Sequence, residues 1–128
     1  MPTAGHSNPG QLSRSLADAI SVGDLDRAVS CFSQRARLMT PGETIVEGRG
    51  PVREVLSQMI GMKVRIRIEP HRSLLLDDFA LLSERWHTRR SQVDGHGALL
   101  QTTRAFGLHR RIDREGWKIL FLAPWGFS

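Results

Sequence analysis

The fold is decided by the stretch KVRIRIE at residues 63–69. Val64, Ile66 and Ile68 alternate there with charged side chains, which is the period of a half-buried β-strand. Upstream of this stretch the apolar residues recur at helical spacing, and downstream they alternate. Helices followed by a meander of long antiparallel strands predict an α+β fold and not a βαβ one.

Three helices are predicted before this switch. Gly23 supplies a left-handed stop for the first helix, and Asp24 can cap the second. Pro51, after Gly50, occupies the first position of the third helix. The apolar stripes that define the three helices are Leu12, Leu16, Ala19 and Ile20, then Leu25, Ala28, Val29 and Phe32, then Val52, Val55, Leu56, Met59 and Ile60. A short extended piece over residues 36–40, ended by the turn Pro41-Gly42, is expected to pair with 44–46.

Four strands are predicted after the switch. They cover residues 63–76, 79–93, 97–111 and 117–125, and an irregularity at Pro70 interrupts the first of them. Asp77-Asp78 and residues 113–116 make turns. Asp94-Gly95 is a strong signal for a two-residue hairpin turn.

Length and composition indicate one domain. At 128 residues and 14.4 kDa, the chain can bury a core without disulfides. We expect a flexible segment at residues 1–10, where Pro, Gly and Ser are frequent, and a single domain over residues 11–128. Cys31, the one cysteine, lies in an apolar helical pattern and is expected to be a small buried hydrophobe, not a catalytic thiol.

Charge and hydropathy limit the partners. The net charge is +5 and sixteen of the basic residues are Arg, but they are scattered, and only Arg89-Arg90 and Arg110-Arg111 are adjacent. A nucleic-acid surface would be denser and interleaved with aromatic residues, so no nucleic-acid partner is expected. No apolar run approaches about 18 residues, so no membrane span is predicted. Residues 1–10 lack a signal-peptide pattern, and we expect a cytoplasmic location.

Two charged residues stand out in the strand pattern. Glu84 lies in the apolar face of the second long strand, with Ala80, Leu82, Trp86 and Thr88. Arg104 lies in the third strand with Leu100, Thr102, Phe106 and Leu108. If both apolar faces share one side of the sheet, an acid and a base meet on a concave apolar surface. Either they form an internal ion pair, or they are the polar groups of a ligand pocket.

The histidines predict no metal site. His87 and His109 are expected on the opposite sheet face, and His6 and His96 in loops. The spacings of metal-binding His and Cys motifs do not occur, so neither metal nor cofactor is expected. His71 follows the Pro70 irregularity, which can reset the register and turn this side chain toward the pocket.

Short motifs along the chain resemble those of SnoaL-like and ketosteroid-isomerase-like proteins of the nuclear-transport-factor-2-like superfamily. These motifs are Gly23-Asp24-Leu25-Asp26, residues 36–41, residues 47–53 and Gly116-Trp117-Lys118-Ile119-Leu120. The match covers about residues 11–125. The resemblance implies a cone-shaped α+β domain, in which three N-terminal helices pack on a curved, mainly antiparallel sheet.

The resemblance also shows which chemistry is missing. In ketosteroid isomerases a proton-shuttling Asp precedes the Pro of the first extended segment, and that position is Thr40 here. The Tyr donor would come from near Leu16, but the chain has no tyrosine. The protonated Asp donor would fall near Arg104. Ketosteroid isomerase chemistry itself is therefore not expected.

Three function hypotheses remain, and the least favoured is nucleic-acid binding through the +5 charge, which predicts an affinity that falls steeply with salt. In the first, the cone binds a small hydrophobic or partly anionic molecule, and catalysis, if any, is cofactor-free acid–base chemistry of an isomerase, cyclase or hydrolase type. Glu84 and Arg104 would be the catalytic residues, and the pocket lining would be Leu16, Leu38, Thr40, Met59, His71, Trp86, Phe106 and Trp117. In the second, the domain is a non-catalytic association module. As the resemblance implies, it would form a homodimer through the far sheet face, which would carry Leu81, Ser83, His87, Thr103, Ala105, Leu120 and Leu122.

Overall fold

The structure, a computed structural model, describes residues 8–40, 42–91 and 98–125. Helices precede a run of long strands in this part of the chain, as the sequence predicts. The order is α1 (Pro9–Val22), α2 (Leu25–Ser30), β1 (Phe32–Met39), β2 (Ile45–Glu47), α3 (Arg49–Gly61), β3 (Arg65–Leu76), β4 (Phe79–Ser91), β5 (Ala98–Ile112) and β6 (Gly116–Ala123). The α+β class is confirmed.

The ends of the first two helices follow the predicted signals. Gly23 ends α1 in the left-handed conformation, with a φ of 81°. Asp24 caps α2 by accepting a hydrogen bond from the Arg27 backbone N–H at 3.1 Å. The Asn8 side chain caps α1, which begins at Pro9. Residues 9 and 10 therefore belong to the helix and not to the flexible segment predicted for residues 1–10.

The second helix is shorter than its apolar stripe predicts. It ends at Ser30, and Phe32 is the first residue of β1 instead of the last turn of the helix. The reason is tertiary pairing: Phe32 lies opposite Ile119 of β6, whose backbone N–H donates to the Cys31 carbonyl at 2.8 Å. Strand pairing has overridden the helical period at this position.

The strands form one open, curved sheet in the order β2-β1-β6-β5-β4-β3. β1 runs parallel to β6, and the other neighbours are antiparallel. The helices cover one face, which we call the inner face, and the opposite face is the outer face. The predicted turn at residues 77–78 joins β3 to β4, whereas Asp94-Gly95 lies outside the described residues.

No helix in the described part of the chain is long and apolar enough to cross a membrane. The cytoplasmic location stays a prediction.

A β-bulge interrupts β3 at the predicted irregularity. Pro70 lies opposite Glu84 and Arg72 lies opposite Ser83, so His71 is an extra residue. β3 is an edge strand, where Pro70 can lack an N–H without breaking a ladder between two strands. The register is reset after the bulge, as predicted.

The faces of β5 are the reverse of those predicted. Its buried residues are Ala105, Gly107 and His109, and Glu84 lies opposite Ala105. Arg104 is exposed on the outer face, directly opposite Arg85. The prediction that Arg104 shares the concave surface with Glu84 is therefore wrong.

Candidate functional site

Glu84 is a charged residue that is buried on the inner face. Its side chain is 5% exposed, and its Oε1 accepts a hydrogen bond from the Trp86 indole Nε1 at 3.3 Å. Burial raises the pKa of the Glu84 carboxyl, while hydrogen bonds from Trp86 and Ser13 and the positive charge of Arg14 lower it by less. A carboxyl with a raised pKa in an apolar setting is a common feature of acid–base sites.

Glu84 lies in the wall of a cavity of about 330 Å³. We call it the α1–β3 cavity, because it opens between the beginning of α1, the bulge of β3 and the middle of β4. Its lining consists of Asn8, Pro9, Gly10, Arg14, Pro70, His71, Arg72, Ser73, Leu75, Leu82, Ser83 and Glu84. The bulge brings His71 to the same cavity as Glu84, so the structure places these two predicted site residues together.

The cation near Glu84 is Arg14 and not Arg104. Arg14 is exposed on α1 and lines the cavity. Ser13, next to it, is 3% exposed and bonds to the carboxyl. The helical pattern contained a signal for Ser13, since it stands three residues before Leu16 and therefore on the buried stripe.

Most of the other predicted lining residues belong to the core. Leu16, Leu38, Trp86 and Trp117 are at most 6% exposed and pack in one cluster. Contacts with the other buried side chains of this cluster cover their surfaces. The sequence correctly predicted that these residues are buried.

The remaining three predicted residues lie at separate places. Met59 lines a depression of about 260 Å³, together with Thr88 and Trp125. Thr40 is half-buried after the end of β1, and its Oγ1 accepts the backbone N–H of Thr44 at 3.2 Å. Phe106 lies opposite Ser83 on the outer face, because the faces of β5 are reversed.

His109 is on the inner face, contrary to prediction. It is 1% exposed, its Nδ1 has no hydrogen-bond partner among the described residues, and burial lowers its pKa to about 4. His87 is on the outer face as predicted. Its Nε2 contacts the Glu69 carboxylate at 3.0 Å and its Nδ1 contacts the Thr102 hydroxyl at 3.1 Å.

Neither a thiol nor a metal cluster adds to the site. Cys31 is buried, and burial raises the pKa of its thiol to about 11, so it is protonated near neutral pH and a poor nucleophile. Over residues 8–40, 42–91 and 98–125, no three His, Cys, Asp or Glu side chains are grouped to hold a metal ion.

The family follows from a match over most of the chain. The model of the SnoaL-like domain matches residues 13–116, which include Ser13, Arg14 and Glu84. The chain belongs to the SnoaL-like domain family. No curated protein matches this SnoaL-like domain.

Solved structures with this fold carry diverse names. A ketosteroid isomerase-like protein from Erwinia carotovora atroseptica superposes with a TM-score of 0.78 at 14% identity, over 89% of each chain. A protein from Streptomyces avermitilis, provisionally named a dehydratase of the NTF2-like family, superposes at 0.78 and 16% identity, over 89% of this SnoaL-like domain and 90% of the other chain. A protein from Xanthomonas campestris is provisionally named a calcium/calmodulin-dependent protein kinase II association domain. It superposes with a TM-score of 0.79 at 16% identity, over 89% of this SnoaL-like domain and 81% of the other chain. At such identities the likeness shows the NTF2-like cone fold alone.

Proposed function

We propose that this SnoaL-like domain binds a small molecule in the α1–β3 cavity, with Glu84 as the group that exchanges a proton with it. The buried carboxyl carries the proposal. Glu84 is 5% exposed and makes no ion pair with a described side chain. Burying such a group costs free energy, and a cost of this kind is typical of functional sites.

The lining supports a ligand with an apolar body and an anionic end. Pro70, Leu75 and Leu82 provide apolar surface, while Arg14 and Arg72 provide guanidinium groups. Guanidinium groups bind carboxylate and phosphate oxygens through two parallel hydrogen bonds. The ligand class is therefore a small hydrophobic or partly anionic molecule.

The environment of Glu84 suits acid–base chemistry. Its raised pKa makes it a stronger base than an ordinary carboxylate. The Trp86 and Ser13 hydrogen bonds hold its oxygens in place. The Erwinia neighbour is named ketosteroid isomerase-like and the Streptomyces neighbour is provisionally named a dehydratase, and these names support cofactor-free chemistry of an isomerase, cyclase or hydrolase type. Ketosteroid isomerisation itself is not proposed, because the resemblance implies Thr40 at the position of the Asp base and a Tyr donor near Leu16, and the chain has no tyrosine.

The substitution Glu84→Gln tests this role. We expect Glu84→Gln to lower the fraction of protein that carries a bound small molecule at least about tenfold. The substitution removes the charged group that accepts a hydrogen bond from the buried ligand. Glu54→Gln, at an exposed position on α3, is the matched control and should keep the ligand. Native mass spectrometry of the three proteins from one host measures occupancy, and thermal unfolding verifies the fold.

Two outcomes would overturn the proposal. Equal occupancy in the wild type and in Glu84→Gln would exclude Glu84 from the site. If neither native mass spectrometry nor a solution screen of small carboxylates, ketones and phenols shows a ligand for the wild type, the association hypothesis would replace it.

The second candidate function is association of two copies through the outer face. Apolar side chains that the sequence placed inside lie on this face, and together with Leu74 and Leu81 they form what we call the outer apolar patch. It consists of Leu74, Leu81, Phe106, Leu108 and Phe121, which line a groove of about 730 Å³. Leu74 is 54% exposed and Leu81 is 49% exposed. Large exposed apolar patches mark interfaces, and a twofold axis would make this one self-complementary.

The predicted composition of that face needs correction. Leu81, Ser83 and His87 are on the outer face, but Ala105 and Leu122 are buried in the core. Thr103 lies opposite Trp86 on the inner face.

Leu81→Glu tests the association. Burying a carboxylate in a mainly apolar contact costs free energy, so we expect Leu81→Glu to weaken dimerisation at least about 100-fold. Val22→Glu, at a residue of α1 that is 66% exposed, should leave the oligomeric state unchanged. Sedimentation velocity across a concentration series measures both. A wild type that is monomeric at all concentrations, or a dimer unaffected by Leu81→Glu, would contradict this assignment.

A further inference from the structure

Arginines gather at one end of the outer face, away from the outer apolar patch. Arg65 of β3 lies directly opposite Arg89 of β4, and Arg85 of β4 lies directly opposite Arg104 of β5. Arg67 lies between them on β3, and all five side chains are exposed. We call these five residues the outer basic patch.

The outer basic patch has little internal compensation. Among the described residues of β3, β4 and β5 that share this part of the face, Glu69 is the acidic one. It already contacts His87 at 3.0 Å and Arg85 at 3.9 Å. Arg65, Arg67, Arg89 and Arg104 make no ion pair with a described side chain. Like charges placed directly opposite in an antiparallel pair destabilise a sheet, so two such pairs are a cost that an anionic ligand would remove.

A depression of about 470 Å³ lies within this patch. Three of its arginines, Arg65, Arg67 and Arg89, line the depression, together with His87, Gln101 and Thr102. The lining therefore offers three guanidinium groups as donors and no carboxylate. Oxyanions of phosphate and carboxylate groups are the natural partners of such donors.

The Thr102 hydroxyl is already oriented toward the ring beside it. The carboxylate of Glu69 only accepts hydrogen bonds, so the contact at 3.0 Å assigns the ring hydrogen to His87 Nε2. In the neutral ring Nδ1 then accepts from the Thr102 hydroxyl at 3.1 Å. That hydroxyl therefore gives its hydrogen to the ring and has no donor left for an oxyanion, so the binding groups of the depression are the guanidinium groups of Arg65, Arg67 and Arg89.

We propose that this depression binds a small molecule with two or more oxyanion groups, through Arg65, Arg67 and Arg89. Its volume matches a small ligand. A single-stranded nucleic acid fits less well, because the residues that line the depression include no Phe, Tyr or Trp for base stacking. Five cations also oppose the approach of a second copy here, so association through the outer apolar patch would leave this site open.

Calorimetric titration with tripolyphosphate and with citrate at constant ionic strength tests the proposal. We expect at least one probe to bind once per chain, and the tighter of the two identifies phosphate or carboxylate as the preferred group. Arg67→Gln and Arg89→Gln should each weaken binding at least about tenfold, since each loses a charge-assisted bidentate contact. Arg35→Gln makes the same change of charge at an exposed position of β1, and it should change the Kd less than about twofold.

The proposal would be overturned if neither tripolyphosphate nor citrate binds, or if Arg35→Gln weakens binding as much as Arg67→Gln and Arg89→Gln do. It would also be overturned if an oligonucleotide binds more tightly than both probes and its affinity depends on salt equally strongly in all variants. Folding is controlled by thermal unfolding. Arg89→Gln should unfold at the wild-type temperature or above, because it relieves the repulsion from Arg65.

Discussion

His109→Leu should become more stabilising relative to the wild type as the pH falls, by about 3 kcal/mol between pH 6.5 and pH 4. Burial lowers the pKa of His109 from 6.5 to about 4, and its Nδ1 has no described partner. The unfolded chain therefore binds more protons than the folded one in this interval. The stability contributed by the neutral ring is complete above pH 6.5 and is lost as the pH falls toward 4.

Urea denaturation of both proteins across this pH range measures the difference. Glu84 acts in the opposite sense, because its raised pKa removes stability as the pH rises through its titration, but it is present in both proteins and cancels. Ile119→Val, at the cross-strand neighbour of His109, should shift stability by about 1 kcal/mol equally at each pH. A difference between His109→Leu and wild type that does not vary with pH would show that the imidazole is not buried in its neutral form.

Trp86→Ala should lower the free energy of unfolding by about 3–5 kcal/mol. Trp86 is 1% exposed and is among the largest fully buried side chains of the described residues. It packs in the core while its indole N–H donates to Glu84. Its removal leaves a cavity and also takes a hydrogen bond from a buried carboxyl.

Trp86→Phe separates the two contributions. It keeps an aromatic ring in the core and removes the donor, so we expect a smaller loss of about 1–2 kcal/mol and a further rise in the pKa of Glu84. Urea denaturation at pH 7, with an unchanged dependence on urea, measures both variants. If Trp86→Ala lowers the free energy of unfolding by less than about 1 kcal/mol, the indole ring is not closely packed in the core.

The sequence predicted the features that depend on local period. Alternation along β4 correctly placed Glu84 and Trp86 on the buried face, since a strand has a strict period of two. Pro70 correctly marked the irregularity that carries His71 to the cavity. The helix ends at Gly23 and Asp24 also followed from local chemistry.

The apolar residues of β5 do not indicate which face of the strand is buried, because the large ones lie on the outer face of the sheet. Phe106 and Leu108 read as core, but they lie opposite Ser83 and Leu81 on that face. The hairpin offered the stronger signal. A two-residue turn at Asp94-Gly95, counted back along both strands, would set Glu84 opposite Ala105, as observed.

Two further parts of the site depend on contacts between distant segments. Ser13 and Arg14 reach Glu84 from a helix more than sixty positions earlier in the chain, and no local pattern encodes that approach. The sequence did not predict the burial of His109, because His109 lies on the same strand whose faces were assigned the wrong way round. A register error of one residue reverses every side chain of a strand, which is why one wrong choice placed Arg104 in the predicted site and hid His109.

The bulge at His71 has an evolutionary consequence. Because residues on both sides of it keep their partners on β4, one residue can be gained or lost there without moving the rest of the ladder. A related chain that lacks the bulge is therefore expected to show a single-residue gap at this point. Such an insertion or deletion would reshape the mouth of the α1–β3 cavity in one step and leave the core sequence untouched, so ligand preference could diverge between relatives whose buried residues remain the same.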